Sequence, residues 1–273
     1  MDVVHPEFAP DASLSREEME ALQRDLADLA VFADDLPFDP AAVRATSADD
    51  AQAELGEVTG DGGASEAAPV VAGVDQAFVD DRAVSAVVAL RDGEVIERVH
   101  AVADTEIPYI PGLLSFREGT AILRAFEELS VDPDLALVDG SGRIHFREAG
   151  IATHVGVMLD LPTVGVAKNL LCGRLRDEPE GYMTAGERAA VVADEDVTAP
   201  DGTVIGYALQ SRQYDAPEKR HVNPLYVSPG HRVGAETAAD VAWRLSAGYK
   251  LPEPTRRADA YADEVKASVR VDE

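Results

Sequence analysis

Apolar residues recur every three or four positions between residues 14 and 35, which is the spacing of one buried stripe along an α-helix. The stripe consists of Met19, Leu22, Leu26, Leu29 and Phe32. Ser15, followed three residues later by Glu18, matches a capping box and marks the start of the helix. We therefore predict an N-terminal helical segment over residues 1–43.

Residues 44–68 consist largely of Ala, Asp, Glu, Gly and Ser. A segment with so few large apolar side chains cannot contribute to a core, so we predict a flexible connector here. A main domain over residues 69–262 and a C-terminal tail over residues 263–273 would follow it.

The pattern of the main domain predicts an α/β fold with one mixed sheet. Three strand-like runs come first, PVVAGVDQAFV, AVSAVVAL and EVIERVHAVAD, and Asp92–Gly93 between the last two is a hairpin signal. Helical and extended patterns then alternate through SFREGTAILRAFEEL, LALVD, EAGIATHVGVMLD and TVGVAK. After an irregular stretch, the strand-like TVIGYAL and PLYVS precede a last long helix over about 234–247. Three antiparallel strands followed by such alternation indicate a mixed sheet flanked by helices.

The charge of the chain bears on its partners. Its net charge is −27, from 51 acidic and 24 basic residues among 273, and only four of the basic residues are Lys. Such acidity ordinarily argues against nucleic acid, because phosphate contacts supply much of that affinity. We interpret it as adaptation to a very salty cytoplasm, where a Debye length of about 3 Å in molar salt screens the repulsion. This interpretation predicts weak folding at low salt.

Other compositional features narrow the location and the metal chemistry. The sequence has neither an apolar run long enough to span a membrane nor a basic-then-apolar leader, so we expect a cytoplasmic protein without a membrane partner. Cys172 is the only cysteine, and no CxxC or HxxxH spacing occurs. A metal would therefore be held by oxygen ligands.

Carboxylates interrupt two of the apolar runs, Asp75 within VVAGVDQAF and Asp139 at the end of LALVDG. An unpaired buried carboxylate is costly, so it persists only where it is hydrogen-bonded, paired or metal-bound. If these two strands are neighbours, the carboxylates converge and a divalent cation would relieve their repulsion. Glu118, on the first turn of the next helix, is a third candidate ligand. Three oxygen ligands suit Mg²⁺ or Mn²⁺.

Each local pattern also has a structural interpretation. Ser115 and Glu118 fit an S-x-x-E capping box, and Asp139 before Gly140 fits a turn. No turn signal surrounds Asp75. The residues alone therefore leave a metal-dependent hydrolase as one interpretation beside a purely structural one.

Several longer strings resemble one known family. YIPGLLSFREGTAILRAFEEL and PDLALVDGSGRIHFREAGIATHVGVMLDLPTVGVAKNLLCG resemble the core of the endonuclease V family, also called deoxyinosine 3′ endonucleases. VAGVDQAF resembles the family's first-strand motif, while PLYVSPGHRVGAETA and LPEPTRRADAYA resemble its C-terminal motifs. The likeness covers about 71–262 and implies a ribonuclease H-like fold, in agreement with the strand order above.

The resemblance implies an enzyme that nicks DNA at the second phosphodiester bond 3′ to deoxyinosine, in the repair of deaminated bases. Mg²⁺ is the implied cofactor, with Mn²⁺ as a substitute, and we expect a monomer. An endoribonuclease for inosine-containing RNA is an alternative within the same family. A non-catalytic binder of deaminated nucleic acid is an alternative from another class.

Site residues follow from the same resemblance. Asp75, Asp139 and Glu118 match metal ligands, Lys168 matches a lysine near the scissile phosphate, and His145 and His231 match histidines near the phosphate and metal. A stiff wedge that takes the place of the extruded base is implied at Pro108, Tyr109, Ile110 and Pro111. The pocket for the flipped base is implied at Gly112, Leu114, Gly140, Gly150 and Ile151.

Overall fold

One mixed sheet of nine strands organises residues 1–45 and 68–271, which are the residues that this computed structural model describes. The spatial order is β3-β2-β1-β4-β5-β9-β8-β7-β6. The strands are β1 Val70–Val79, β2 Arg82–Arg91, β3 Glu94–Asp104, β4 Leu135–Asp139, β5 Thr163–Ala167, β6 Arg174–Leu175, β7 Arg188–Val192, β8 Val204–Leu209 and β9 Leu225–His231. β1 pairs antiparallel with β2 and parallel with β4, and β4 pairs parallel with β5. The predicted α/β mixed sheet is confirmed.

Helices cover both faces of the sheet. They are α1 Arg16–Leu29, α2 Leu114–Glu127, α3 Ile151–Leu159, α4 Ala235–Arg244 and α5 Glu253–Val271, with short 3₁₀ turns at Pro6–Phe8 and Pro40–Ala42. Because side chains alternate along a strand, Val70, Ala72 and Val74 of β1 pack with the cluster of α2 and α3. The odd-numbered positions of β1 face the opposite side, where α4 and α5 lie.

The local signals of the first strands are confirmed. β2 and β3 are joined at Asp92 and Gly93, both of which have positive φ, as a type I′ hairpin turn requires. Ser15 and Glu18 form the predicted capping box at the start of α1. The predicted connector lies outside the described residues for nearly all its length, 46–67.

Three parts of the chain differ from the prediction. α1 ends at Leu29 instead of continuing to residue 35, because residues 31–35 run along the end of β9: Arg232 N–H donates to Val31 O over 2.6 Å, and Asp35 N–H donates to Arg232 O over 3.0 Å. The predicted irregular stretch contains the short strands β6 and β7. α5 was not predicted, and it continues past residue 262 through Val265, which is buried against β1 and β2.

The start of α4 is capped by a residue distant in sequence. Gly234 at its N-cap has no side chain, and Asp34 supplies the carboxylate instead. One oxygen of Asp34 accepts the Gly234 N–H over 2.6 Å, and the other accepts the Thr237 hydroxyl over 2.7 Å. The N-terminal segment therefore holds the end of the sheet together with the helix that follows it.

Within the described residues, no helix is both long enough and apolar enough to cross a membrane. Cys172 is a free, buried thiol.

Candidate active site

Asp75 and Asp139 lie at the same level of two neighbouring parallel strands. Val74 of β1 is opposite Val138 of β4, so the next residue of each strand is one of the two aspartates. Adjacent parallel strands are about 4.8 Å apart, and residues in register point to the same face. The carboxylates of Asp75 and Asp139 therefore converge, as predicted if their strands are neighbours.

The electrostatics of the pair are unfavourable for two negative charges. Asp75 is 6% exposed, and its burial together with the adjacent Asp139 carboxyl raises its pKa well above the ordinary range. Two carboxyls in contact cannot both ionise cheaply unless a positive charge joins them. The electrostatics of the pair therefore favour the binding of a cation.

Lys168 supplies one positive charge at this place. It follows β5 directly, and its Nζ lies 2.9 Å from Asp139 Oδ2. Burial lowers the pKa of Lys168, but the carboxylates of Asp139, Asp75 and Asp259 outweigh burial and raise it. The side chain remains 47% exposed, so the ammonium can also reach a phosphate from solvent.

Glu118 is a buried acid and not a cap. α2 begins at Leu114 with Leu113 as its N-cap and makes no side-chain capping bond, while the Ser115 hydroxyl has no partner among the described residues. The capping-box interpretation of Glu118 is therefore wrong. Burial, with the charge of Asp139 adding to it, raises the pKa of Glu118 to about 7 although Arg117 acts in the opposite direction. Glu118 thus belongs electrostatically to the Asp75–Asp139 group.

A fourth acid joins this group from α5. The negative charge of Asp259 contributes to the raised pKa values of both Asp75 and Lys168. α5 approaches closely because Gly73, two residues before Asp75, has no side chain: a Cβ there would lie 2.0 Å from Pro254 O. Sequence reasoning missed Asp259. A signal existed, because it lies inside the family-like string LPEPTRRADAYA.

The donor set fits a divalent cation. Within residues 1–45 and 68–271, no three His, Cys, Asp or Glu side chains are already arranged as a ligand set. The same acids nevertheless repel one another, with raised pKa values at Asp75 and Glu118. Carboxylate oxygens are the ligands that Mg²⁺ and Mn²⁺ prefer, and such an ion would relieve the repulsion. The residues that could hold it are Asp75, Asp139, Glu118 and Asp259.

A small cavity lies beside the start of α2 and α3. Its wall includes four of the five residues expected to contact a flipped base, namely Gly112, Leu114, Gly150 and Ile151. Gly140 does not line it: its missing Cβ makes room for Ile151 Cγ2, 2.4 Å from where a Cβ would lie. The cavity encloses about 40 Å³, enough for water but less than a purine, so the wall must move to admit a base.

His145 forms part of the same wall and is neutral. Burial, and then the charge of Arg147, lower its pKa to about 3. Nδ1 accepts the Arg147 backbone N–H at 3.2 Å, so the proton is on Nε2, which donates to Gly112 O at 3.1 Å. Both ring nitrogens are thus engaged in shaping the cavity.

Gln23 is a pocket residue that sequence reasoning did not identify. It is 1% exposed, donates to Gly112 O at 2.9 Å and to Ala149 O at 3.3 Å, and accepts from Arg147 Nε at 2.7 Å. The available signal was a glutamine on the apolar stripe of a helix whose other positions are mostly charged, four residues after Met19 and three before Leu26. The N-terminal segment therefore contributes to the site.

His231 is not brought to the acidic group. It is opposite Thr163 at the start of β5, and Thr163 is in turn level with Ala136, three residues before Asp139. At about 3.3 Å per residue this is roughly 10 Å along the strands, and β9 is two strands away from β4 across the sheet. Its Nε2 lies 3.3 Å from Asp160 Oδ1, and its Nδ1 accepts the Val31 N–H.

The wedge-like segment presents its aromatic residue to solvent. Tyr109 is 63% exposed, whereas Ile110 packs against the cluster that joins α1 and α2. Gly112, with φ of +82°, turns the chain directly into the cavity wall. An exposed ring is therefore held on an anchored turn next to the cavity.

Comparison with known proteins agrees with this geometry. The family model described as Endonuclease V matches residues 56–260. A curated relative, "Endonuclease V" of the halophilic archaeon Haloarcula marismortui, is 62% identical over 269 residues, covering 97% of this chain and 98% of the relative. The crystal structure of Endonuclease V from Streptomyces avermitilis has a TM-score of 0.71 at 30% identity, covering 94% of this chain and 95% of that one.

A solved structure with bound nucleic acid has the same fold. The Ciona intestinalis Endonuclease V, described in complex with a 24mer DNA containing an inosine followed by a ribo-adenosine, has a TM-score of 0.67 at 21% identity, covering 93% of this chain and 98% of that one. The fold together with these relatives defines a nuclease of the hydrolase class. Within that class, the chain belongs to the endonuclease V family.

Proposed function

We propose that this protein is a Mg²⁺-dependent endonuclease, with Mn²⁺ as a substitute, that nicks DNA at the second phosphodiester bond 3′ to deoxyinosine. The products would be 3′-hydroxyl and 5′-phosphate ends, and the role would be repair of deaminated bases, by a monomer in the cytoplasm. The observation that carries the proposal is the in-register pair Asp75–Asp139, with Lys168 bonded to it.

The acids of the site would act together on one cation. Asp75, Asp139 and Glu118 would hold the cation, and Asp259 would add a fourth oxygen donor from α5. When bound, the cation would supply Lewis acidity for the attack of water on the phosphate. Lys168 is half exposed at the same edge and compensates negative charge on the attacked phosphate.

Recognition of the lesion uses the exposed ring and the cavity. Tyr109 replaces the extruded base in the stack, while the base enters between Gly112, Gly150 and Ile151. Base flipping is easiest at a mismatched pair, and an I·T pair opens more readily than a matched one. The bound inosine-containing DNA of the Ciona protein supports this substrate class.

A nicking assay tests the proposal. Wild type and Asp75→Ala are incubated in molar KCl with a single-inosine duplex and with its unmodified counterpart, each with Mg²⁺ or with EDTA. We expect one nick, only in the inosine duplex, only with Mg²⁺ and only by wild type. The same assay includes an inosine-containing RNA duplex. If the protein cuts this RNA in preference to the DNA, its substrate is RNA and the proposed DNA substrate is wrong.

The same variant separates an enzyme from a binder. Asp75→Ala should still retain the inosine duplex in a gel-shift assay, because the pocket residues are unchanged. If wild type binds inosine without nicking under any metal condition, and Asp75→Ala binds identically, the protein is a binder of deaminated bases and the nuclease proposal fails.

A further inference from the structure

The loop of residues 210–224, which connects β8 to β9, lies at the acidic edge of the sheet. Tyr226 of β9 is opposite Ala167 of β5, and Lys168 follows Ala167. Asp139 is opposite Val166 on the other side of β5. The chain that enters β9 therefore arrives at the same end of the strands as Asp139 and Lys168.

A series of contacts connects this loop to the acidic group. The Ser211 hydroxyl donates to Lys250 O over 2.5 Å. Burial lowers the pKa of Lys250, and the positive charge of Lys168 lowers it further. Lys168 in turn contacts Asp139. Three of the four lysines of the chain, Lys168, Lys219 and Lys250, thus lie on the loop or beside it.

The loop carries positive charge that the rest of the described chain does not neutralise. Arg212, Lys219 and Arg220 are exposed, and none of them has an ion pair within the described residues. Asp215 and Glu218 of the same loop do not pair with them either. In a chain with 51 acidic and 24 basic residues, three unpaired cations within nine positions are available for an external anion.

Two glutamines and one tyrosine fix the shape of the loop. Gln210, 2% exposed, donates to Arg212 O at 2.6 Å and to Val222 O at 2.8 Å. Gln213 accepts the Val222 N–H at 3.0 Å. The guanidinium groups of Arg212 and Arg220 lie 5.2 and 4.5 Å from the ring centre of Tyr214. Stacking on one ring orders both arginines before any ligand arrives.

We propose that the loop of residues 210–224 is a phosphate-binding element that holds the nucleic-acid backbone outside the base pocket, through Arg212 and Arg220 ordered on Tyr214. This inference rests on the proposed function for its ligand, the backbone of the cleaved duplex. Planar guanidinium groups bind phosphate oxygens in a bidentate manner and are weakly hydrated, so they remain effective where screening weakens simple charge attraction. Such contacts carry no sequence information, so lesion-containing and normal duplexes should be held equally.

The salt dependence of duplex binding tests the loop. We compare Arg212→Gln/Arg220→Gln with wild type by fluorescence anisotropy in EDTA, using an unmodified and a single-inosine duplex over a tenfold range of KCl. Each lost phosphate contact reduces the slope of log affinity against log salt by about 0.9, so we expect a decrease of about 1.8 on both duplexes.

The control is a double variant with the same change of charge elsewhere. Arg98→Gln/Arg124→Gln removes two exposed arginines, one from β3 and one from α2, and should leave the slope as in wild type. Arg220→Gln alone provides a single-charge test should the double variant fold poorly, and its expected slope change is about 0.9. Arg212→Lys/Arg220→Lys should retain the slope.

Two results overturn the inference: equal slopes for the loop and control variants, or a loss confined to the inosine duplex. Either can occur while wild type nicks normally, which leaves the proposed nuclease function intact. Conversely, a wild type that never nicks inosine DNA while the loop variant loses binding to both duplexes would reject the nuclease and retain the loop.

Discussion

Asp75 occupies a strand position that an apolar side chain would otherwise fill, with its carboxyl buried against Asp139. Because both burial and the neighbouring acid penalise the charged form, this residue destabilises the fold in the absence of a cation. We expect Asp75→Asn to raise the unfolding free energy in EDTA by about 1 kcal/mol or more and to abolish nicking. Urea unfolding of both proteins in EDTA and then in Mg²⁺ measures this. A variant less stable than wild type in EDTA would contradict it.

His154 is a buried residue that makes the unfolding free energy depend on pH. Its Nε2 lies 2.7 Å from Phe8 O, its ring packs edge-on against Phe116, and burial lowers its pKa from 6.5 to about 4. Between those pH values the unfolded chain binds a proton that the folded chain does not, so the unfolding free energy falls on acidification by about 1.4 kcal/mol per pH unit.

His154→Asn should remove that component of the pH dependence. Unfolding in urea at constant KCl, measured at several points between pH 6.5 and 4, should give a slope smaller by about one proton than that of wild type. His145, with a pKa of about 3, accounts for a second proton in both proteins and serves as the internal comparison. An unchanged slope in the variant would show that His154 is protonated in the folded state.

At single positions, the interrupted apolar runs predicted that two acids converge, while the local pattern at Glu118 fitted a cap as well as a ligand. Asp75 and Asp139 were recognisable because each interrupts an apolar run, whereas the wedge role of Tyr109 was implied by the family resemblance and not by the prolines beside it. The capping-box pattern at Ser115 was misleading, since α2 begins at Leu114, two residues too early for Ser115 to be its N-cap. His231 was placed by resemblance alone, and no pattern in one sequence tells which end of a strand a histidine will occupy.

Among the elements, α5 depends on one missing side chain. Gly73 lets Pro254 and the first turn of α5 approach β1, and Asp259 lies one and a half turns farther along the same helix. A methyl group at Gly73 would overlap Pro254 O, so α5 must shift. We therefore expect Gly73→Ala to lower the melting temperature and to reduce nicking at least tenfold per folded molecule.

Gly202→Ala is the control for that experiment. Gly202 has φ of +79° and no atom near its missing Cβ, so alanine there introduces backbone strain of about 1 kcal/mol without moving Asp259. Its melting temperature should fall while nicking per folded molecule is unchanged. Equal nicking by the two variants would mean that the position of α5 does not affect the acidic group.

The sequence could indicate most elements but not α5 or the short strands β6 and β7. Long apolar runs, the Asp92–Gly93 turn and the Ser15 cap are local signals, and each of them was interpreted correctly. The buried stripe of α5 is weak, because it includes the small Ala258 and Ala262 and follows two prolines. α5 is stabilised mainly by packing on β1 and β2. Contacts with strands so distant in sequence cannot be seen in a local pattern of residues.

For the molecule as a whole, the net charge of −27 sets the working conditions. Self-repulsion is screened over about 3 Å in molar salt, so the compact state is favoured there. We expect the melting temperature to rise from dilute buffer to molar KCl and nicking to persist at molar KCl. Sucrose at matched osmolality, which does not screen charge, should reproduce little of the effect. Good activity in dilute buffer with complete loss at molar KCl would reject the halophilic interpretation.

The cap that Asp34 provides for α4 can form only late in the synthesis of the chain. Its partners Gly234 and Thr237 are made about two hundred residues later. A ribosome adding roughly 5–20 residues per second would need on the order of 10–40 s to produce them. During that interval the N-terminal segment lacks its partners at the start of α4. The nascent protein therefore cannot complete this end of the sheet until translation is almost finished.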